Sequence, residues 1–379
     1  MSATALAGTE DHPHARLILG SALATGEPSH AYLFHGPPGT GKRTVARALA
    51  AELLAEGDPD PDGVRRRVAS GSHPDLTWVK PTGAHVMRVD DVEGPVISAA
   101  SRTPFESARR VFVLERAETM NDEVANRMLK TLEEPAAFVH LVLLTEAIGR
   151  MLETIVSRCQ AVRFDPLPAE RIAAALGEAG VSPATAEASA RLALGNAARA
   201  RFLASEEGTA LRADVELFVR DALAGGAGEA STVDSWQPLL ARADRRGAAA
   251  QAEVGKEAAR RLELEPKGRE RRALERDFEE TAKRDGRRAR TEMLELGLEL
   301  SALAFRDLGC LADGVPDVVL ATDRADALAA AAHGRDGGRM REAVELCEEA
   351  RLSLEVNVSE ELALSALSFR LRRLVGSPG

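Results

Sequence analysis

Apolar residues follow two rhythms along this chain, and the change comes near residue 165. Before it, short continuous apolar runs alternate with stretches of helical period. The runs are "AYLF" (Ala31–Phe34), "LTWV" (Leu76–Val79), "RVFVL" (Arg110–Leu114), "HLVLLT" (His140–Thr145) and "AVRF" (Ala161–Phe164). Successive strand residues point to opposite faces, so a continuous apolar run predicts a strand buried on both sides. Such strands separated by helices predict a parallel sheet covered on both faces, an α/β fold. "TVARALAAELLAE" reads as the helix after the first run. "NDEVANRMLKTLEEP" reads as another: Asn121 caps its start, Met128, Leu129 and Leu132 form its apolar stripe, and Pro135 stops it.

After Asp165 the strand signal ends. "DPLPAERIAAALGEAG" opens with two prolines and turns helical. The pattern predicts an α/β domain over 1–165, a small helical domain over 166–204 and an all-helical domain over 205–379. In the third, Arg242–Arg290 is dense in Arg, Glu and Lys, with a break at "EPKG" (Glu265–Gly268). Its mixed signs predict a long solvated helix rather than a nucleic-acid arm. Leu296, Leu300 and Leu303, and later Leu364, Leu367 and Leu371, repeat at helical spacing and predict packing surfaces.

Composition narrows this picture. The 379 residues are 45% hydrophobic, enough for a sizeable core, but only 3% aromatic, so Ala, Leu and Val must build it. A formal net charge of -10 counts against a free-standing DNA binder. Cys159, Cys310 and Cys347 form no C-x-x-C pair, which suggests neither a zinc site nor a disulfide framework. Scattered thiols fit a reducing cytosol. No apolar run approaches the roughly 20 residues that span a bilayer, and the N-terminus lacks a signal-peptide pattern. The expectation is a soluble, cytoplasmic protein with no membrane partner.

The candidate chemistry lies in "HGPPGTGKRT" (His35–Thr44), between the first strand and the first long helix. That context is the one a phosphate-binding loop needs. Gly36, Gly39 and Gly41 let backbone N–H groups turn toward phosphate oxygens, the helix start adds its positive dipole end, and Lys42 reaches the β/γ-phosphates. Hydrolysis asks for more. A hydroxyl directly after the lysine ordinarily holds Mg²⁺, and here Arg43 stands there, with donors only. Thr44 comes one position late, about 100° further round the helix. The strand-end acidic pair is altered too: in "VFVLERAE", Glu115 is followed by Arg116, which accepts no proton at neutral pH. Arginine fills two catalytic positions, which predicts lost hydrolysis.

Four stretches carry a resemblance: "HAYLFHGPPGTGKRT", "SGSHPDLTWVKP" (Ser70–Pro81), "ANRMLKTLEEP" (Ala125–Pro135) and "TIVSRCQAVRF" (Thr154–Phe164). A fifth, "LEVNVSEELALSAL" (Leu354–Leu367), is similar to the collar ending of the same proteins. Together they resemble bacterial clamp-loader subunits of the AAA+ superfamily, from the DNA polymerase III holoenzyme. Within that family the altered acidic pair and the retained Ser-Arg-Cys arginine resemble the delta-prime type. The resemblance implies an AAA+ P-loop domain, a small helical lid and an all-α C-terminal collar. It implies a heteropentamer with gamma/tau and delta subunits that meets a sliding clamp and primed DNA. It also implies that Arg158 acts as an arginine finger in trans, at a neighbour's ATP. For the chain's own loop, ATP is the candidate ligand, with Mg²⁺ poorly held.

Departures from the family pattern bear on the site. The four-cysteine zinc module of these proteins falls where this chain has "EGDPDPDGVRRRVAS" (Glu56–Ser70), without a cysteine, so no zinc is expected. "GNAARAR" (Gly195–Arg201) offers Arg199 one position late for the sensor-two role. Thr145 matches the sensor-one position, and a structural strand-end cap explains it equally. Two rival readings remain at this point. One is an ATP-hydrolysing gamma/tau-type motor subunit, the other a free-standing nucleic-acid-binding P-loop protein.

Overall fold

The computed structural model describes residues 6–82, 86–225, 234–264, 268–354 and 359–376. The segment 265–267 of "EPKG" and the segment 355–358 of the collar-like stretch lie outside the described residues. The chain forms two compact units. One holds residues 1–168 and 195–197, the other residues 169–194 and 198–379.

The first unit is built on five parallel strands: β1 (Ala31–His35), β2 (Leu76–Val79), β3 (Arg110–Leu114), β4 (Val139–Thr145) and β5 (Gln160–Arg163), in the order β2-β3-β4-β1-β5. Every run read as a strand is one, with ends moved by at most one residue. The alternation of faces follows from the pleat. Tyr32, Phe34, Val111, Val113, Val142 and Leu144 point to one side. There they meet α1 (Pro13–Thr25), α2 (Lys42–Ala55) and α3 (Pro61–Ser70) through Leu19, Leu49, Leu53 and Val64. Leu33, Phe112, Leu114, Leu141 and Leu143 point to the other. They meet α4 (Val89–Val92), the π-helical turn Glu93–Ser98 that continues it, α5 (Asp122–Glu133) and α6 (Glu153–Val156). Asn121 caps α5 as expected, its Oδ1 accepting from the Val124 N–H at 3.0 Å.

Helix α3 occupies the cysteine-free stretch. Asp60 accepts from the Gly63 N–H at 2.9 Å and Pro61 stands at the first helical position, two start signals that act together. The "SHPDL" segment has a structural task. Fully buried Asp75 accepts from the N–H groups of Phe105, Glu106 and Ser107 at 2.7, 3.0 and 3.0 Å. One carboxylate thereby fixes the loop that leads into β3.

The second unit is helical. It contains α7 (Ala169–Glu178), α8 (Pro183–Leu192), α9 (Ala197–Leu203), α10 (Glu206–Ala224), α11 (Gln237–Leu264), α12 (Arg269–Ala312), α13 (Ala325–Ala332), α14 (Gly337–Ser353) and α15 (Glu360–Val375). The expected single charged helix is two helices packed side by side, α11 and α12. Gly247 and Gly286 let them approach closely: a Cβ at Gly247 would lie 2.8 Å from the Gly286 carbonyl oxygen. Leu300, Leu364, Leu367 and Leu371 are buried in the core of this unit, with Leu296 and Leu303 packed against it.

Candidate functional site

The loop from Gly36 to Gly41 leaves the carboxyl end of β1 and enters α2 at Lys42. Ligands of open parallel sheets bind at this edge. Two glycines are required by crowding as well as by backbone angle. A Cβ at Gly36 (φ 142) would stand 2.0 Å from the Phe164 carbonyl oxygen. One at Gly39 (φ 73) would stand 1.7 Å from Asn196 Oδ1. Gly41 also has positive φ, at 91°, and its carbonyl accepts the first α2 bond, from Val45 at 3.0 Å.

Lys42 is buried, and its Nζ donates to the carbonyls of Gly36 at 2.5 Å and Pro37 at 2.6 Å. The ammonium therefore lies inside the curl of the loop. Burial pushes its pKa down to about 8, against the pull of Glu146 and Glu118; the Arg43 charge adds to the fall.

Arg43 does not hang free in the position of the missing hydroxyl. Its Nη2 lies 2.5 Å from Oε2 of Glu115, the acid at the end of β3. The other carboxylate oxygen, Oε1, accepts from the Trp78 indole N–H at 2.6 Å. Glu115 is 4% exposed, so its charge is matched by two donors of the chain itself. The Arg47 guanidinium stacks over the Trp78 ring, 4.6 Å from its centroid, which completes a row from Arg47 through Trp78 and Glu115 to Arg43. This set does not fit magnesium. Mg²⁺ wants oxygen ligands in a near-octahedral shell. Here one customary hydroxyl is a guanidinium, and the carboxylate is engaged on both oxygens.

The other candidate residues fall in separate places. Thr44 is exposed on α2, and its methyl lies 3.1 Å from where a Cβ on Gly8 would be. Arg116 has a left-handed backbone (φ 52) on leaving β3, and its carbonyl accepts from the Thr119 hydroxyl at 2.7 Å. Thr145 is fully buried beside His35, and its Oγ1 accepts from the Ala147 N–H at 3.1 Å, which is the strand-end cap. Arg158 lies in the turn between α6 and β5. Its Nη1 donates to the Thr154 carbonyl at 2.9 Å and its Nη2 is ion-paired with Glu133 of α5. In the chain by itself the arginine thus meets a carboxylate of the Leu-Glu-Glu-Pro helix. Arg199 makes a two-pronged pair with Glu299 in the second unit, at 2.5 and 2.8 Å. Trp78 and Asn196 belong to this site without a motif in the sequence to mark them. A tryptophan in a chain with two of them, at the end of a strand beside the acidic one, was the available signal.

Comparisons with known proteins find relatives for the first part of the chain. Residues 12–168 match a family model described as "DNA polymerase III, delta subunit". That stretch holds the five strands and the glycine-rich loop. A DNA polymerase III subunit delta' of Bacillus subtilis is 37% identical over 178 residues, covering 46% of this chain and 54% of that protein. Its counterpart in Pseudomonas aeruginosa is 39% identical over 137 residues, covering 35% and 42%. A DNA polymerase III subunit tau of Salmonella typhimurium is 31% identical over 164 residues, covering 42% and 25%. The match spans about half the length of the first of these relatives. Among solved structures, a gamma subunit-related protein of Thermotoga maritima aligns with 94% of this chain and 99% of its own, at 16% identity and a TM-score of 0.48. No described helix is long and apolar enough to cross a membrane.

Proposed function

We propose that this chain is a delta-prime-type subunit of the DNA polymerase III clamp loader, a largely non-hydrolysing member of a ring. The observation that carries the reading is the ion pair between Arg43 and Glu115. It engages, in one contact, the two positions from which a hydrolysing site holds its metal. Lys42 and the three glycines keep the form of a phosphate loop, which supports nucleotide binding without turnover.

In this reading the chain joins gamma/tau and delta subunits in a heteropentamer that loads a sliding clamp onto primed DNA. Residues 166–204 form the lid and residues 205–379 the collar. Arg158 is offered in trans. A planar cation placed against a neighbour's γ-phosphate offsets charge that develops in the transition state, an effect of about 10³–10⁵ in rate. The arginine lies in a surface turn, its side chain 35% exposed, and a subunit needs no hydrolysis of its own to supply it.

The test is steady-state, DNA-stimulated ATPase of the reconstituted loader. Arg158→Ala lowers turnover by about a hundredfold or more, while Lys42→Ala leaves it nearly intact. Unchanged turnover with Arg158→Ala would sink the reading. ATP hydrolysis by the purified chain alone would revive the motor-subunit alternative.

A further inference from the structure

A polyphosphate in a loop of this type is ordinarily accompanied by a divalent cation that bridges its oxygens and is itself held by a hydroxyl and a carboxylate. The residues of this chain rearrange that charge. The position of the hydroxyl carries a guanidinium, and the carboxylate that would face a cation already faces that guanidinium, 2.5 Å away. Glu115 is further fixed by the Trp78 indole N–H, so each of its oxygens already faces a donor of the chain at low exposure.

The guanidinium is not used up by this contact. It has five N–H donors in a planar fork, one of its terminal nitrogens meets Glu115, and the side chain is 63% exposed. Guanidinium groups bind phosphate oxygens through paired donors. Arg43 directly follows Lys42, and its charge is felt by that ammonium. A cation tethered to the chain thus stands beside the loop, held in place by the acid that would otherwise hold an ion.

We propose that the Arg43–Glu115 pair replaces the divalent cation at this site, so that the loop takes the di- or triphosphate of a nucleotide without a metal. The inference rests on the reading of the loop as a phosphate site and is independent of the role of Arg158. It also gives the proposed lack of hydrolysis a cause: no metal bridges the β- and γ-oxygens to neutralise the charge that develops on them.

The experiment is calorimetric titration of the full chain with ADP and with ATP, once with magnesium and once with EDTA. The expected result is one affinity, equal within about twofold in the two buffers. Arg43→Thr, which restores a hydroxyl and releases Glu115, should make binding about tenfold tighter with magnesium than without. A second readout uses Trp78, whose indole touches Glu115. In a Trp236→Phe background, Mn²⁺ should leave Trp78 emission unchanged in the parent and quench it in Arg43→Thr. Binding by the parent chain that tightens about tenfold with magnesium overturns the inference and leaves the phosphate-loop reading standing. No binding of either nucleotide in either buffer overturns both. The comparison in the parent chain decides the matter even if Arg43→Thr fails to fold.

Discussion

Arg158 and Glu133 are ion-paired, and the pair joins the Ser-Arg-Cys turn to the end of the Leu-Glu-Glu-Pro helix. The two motifs are adjacent in space because α6 and α5 pack on the same face of the sheet. The arginine is therefore stored against a carboxylate, and any reach toward another subunit must break that contact. Both side chains are partly exposed, 35% and 46%, and pairs of this kind contribute at most about 1 kcal/mol. Glu133→Gln should lower unfolding free energy by less than about 1 kcal/mol in urea denaturation. A loss of about 2 kcal/mol or more would mean that the pair holds the fold together, not just the arginine.

Removing one side of the Arg43–Glu115 contact has an asymmetric cost. Arg43→Ala leaves a buried carboxylate with the Trp78 N–H and no cation. The expected loss is roughly 1–3 kcal/mol, reduced from the fully buried case because Arg43 faces water. Glu115→Gln added to Arg43→Ala should recover most of it, since the charge is gone. A double-mutant cycle by denaturant titration checks this; additive losses would show that the two residues do not interact.

Lys42 gives the loop a pH dependence of known sign. Its folded pKa is about 8, below the ordinary 10.5. Between those values the unfolded chain keeps a proton that the folded chain has lost, so this residue makes stability rise with pH across that window. Phosphate affinity moves the other way, because the neutral amine no longer attracts an anion. Nucleotide affinity should fall as pH rises from 7 to 9, and Lys42→Met should weaken binding and flatten the profile. A flat profile in the parent chain would show that the ammonium does not face the phosphates.

Asp75 carries the loop before β3 on one carboxylate. Asp75→Ala removes the acceptor from three N–H groups at once. Phe105 and Glu106 are exposed, so water can reach part of what is freed, and the expected loss is about 1–3 kcal/mol. Asp75→Asn keeps one acceptor oxygen and should cost less. Equal stability of Asp75→Ala and the parent would refute the assignment.

All five strands are legible in the sequence, because a continuous apolar run is a local pattern and burial on both faces is its direct result. The cap at Asn121 and the stop at Pro135 were legible for the same reason: each acts within a turn of its own helix. Helix α3 is announced locally by Asp60 and Pro61, but its short, charged sequence carries only Val64 and Val68 as buried positions, too few for a clear apolar period. The division of the charged run into α11 and α12 was signalled by "EPKG", but the close passage of Gly247 and Gly286 was not.

The sequence by itself determined the α/β class, the phosphate loop and the presence of arginine at two positions where hydrolysis needs other groups. It left those arginines as losses. Tertiary structure alone decided that Arg43 meets Glu115, that Trp78 completes the contact, and that Arg158 rests on Glu133. The reason is physical. Periodicity and capping act over a few neighbouring residues, whereas an ion pair is chosen by which strand ends and helix starts the packed sheet brings within reach.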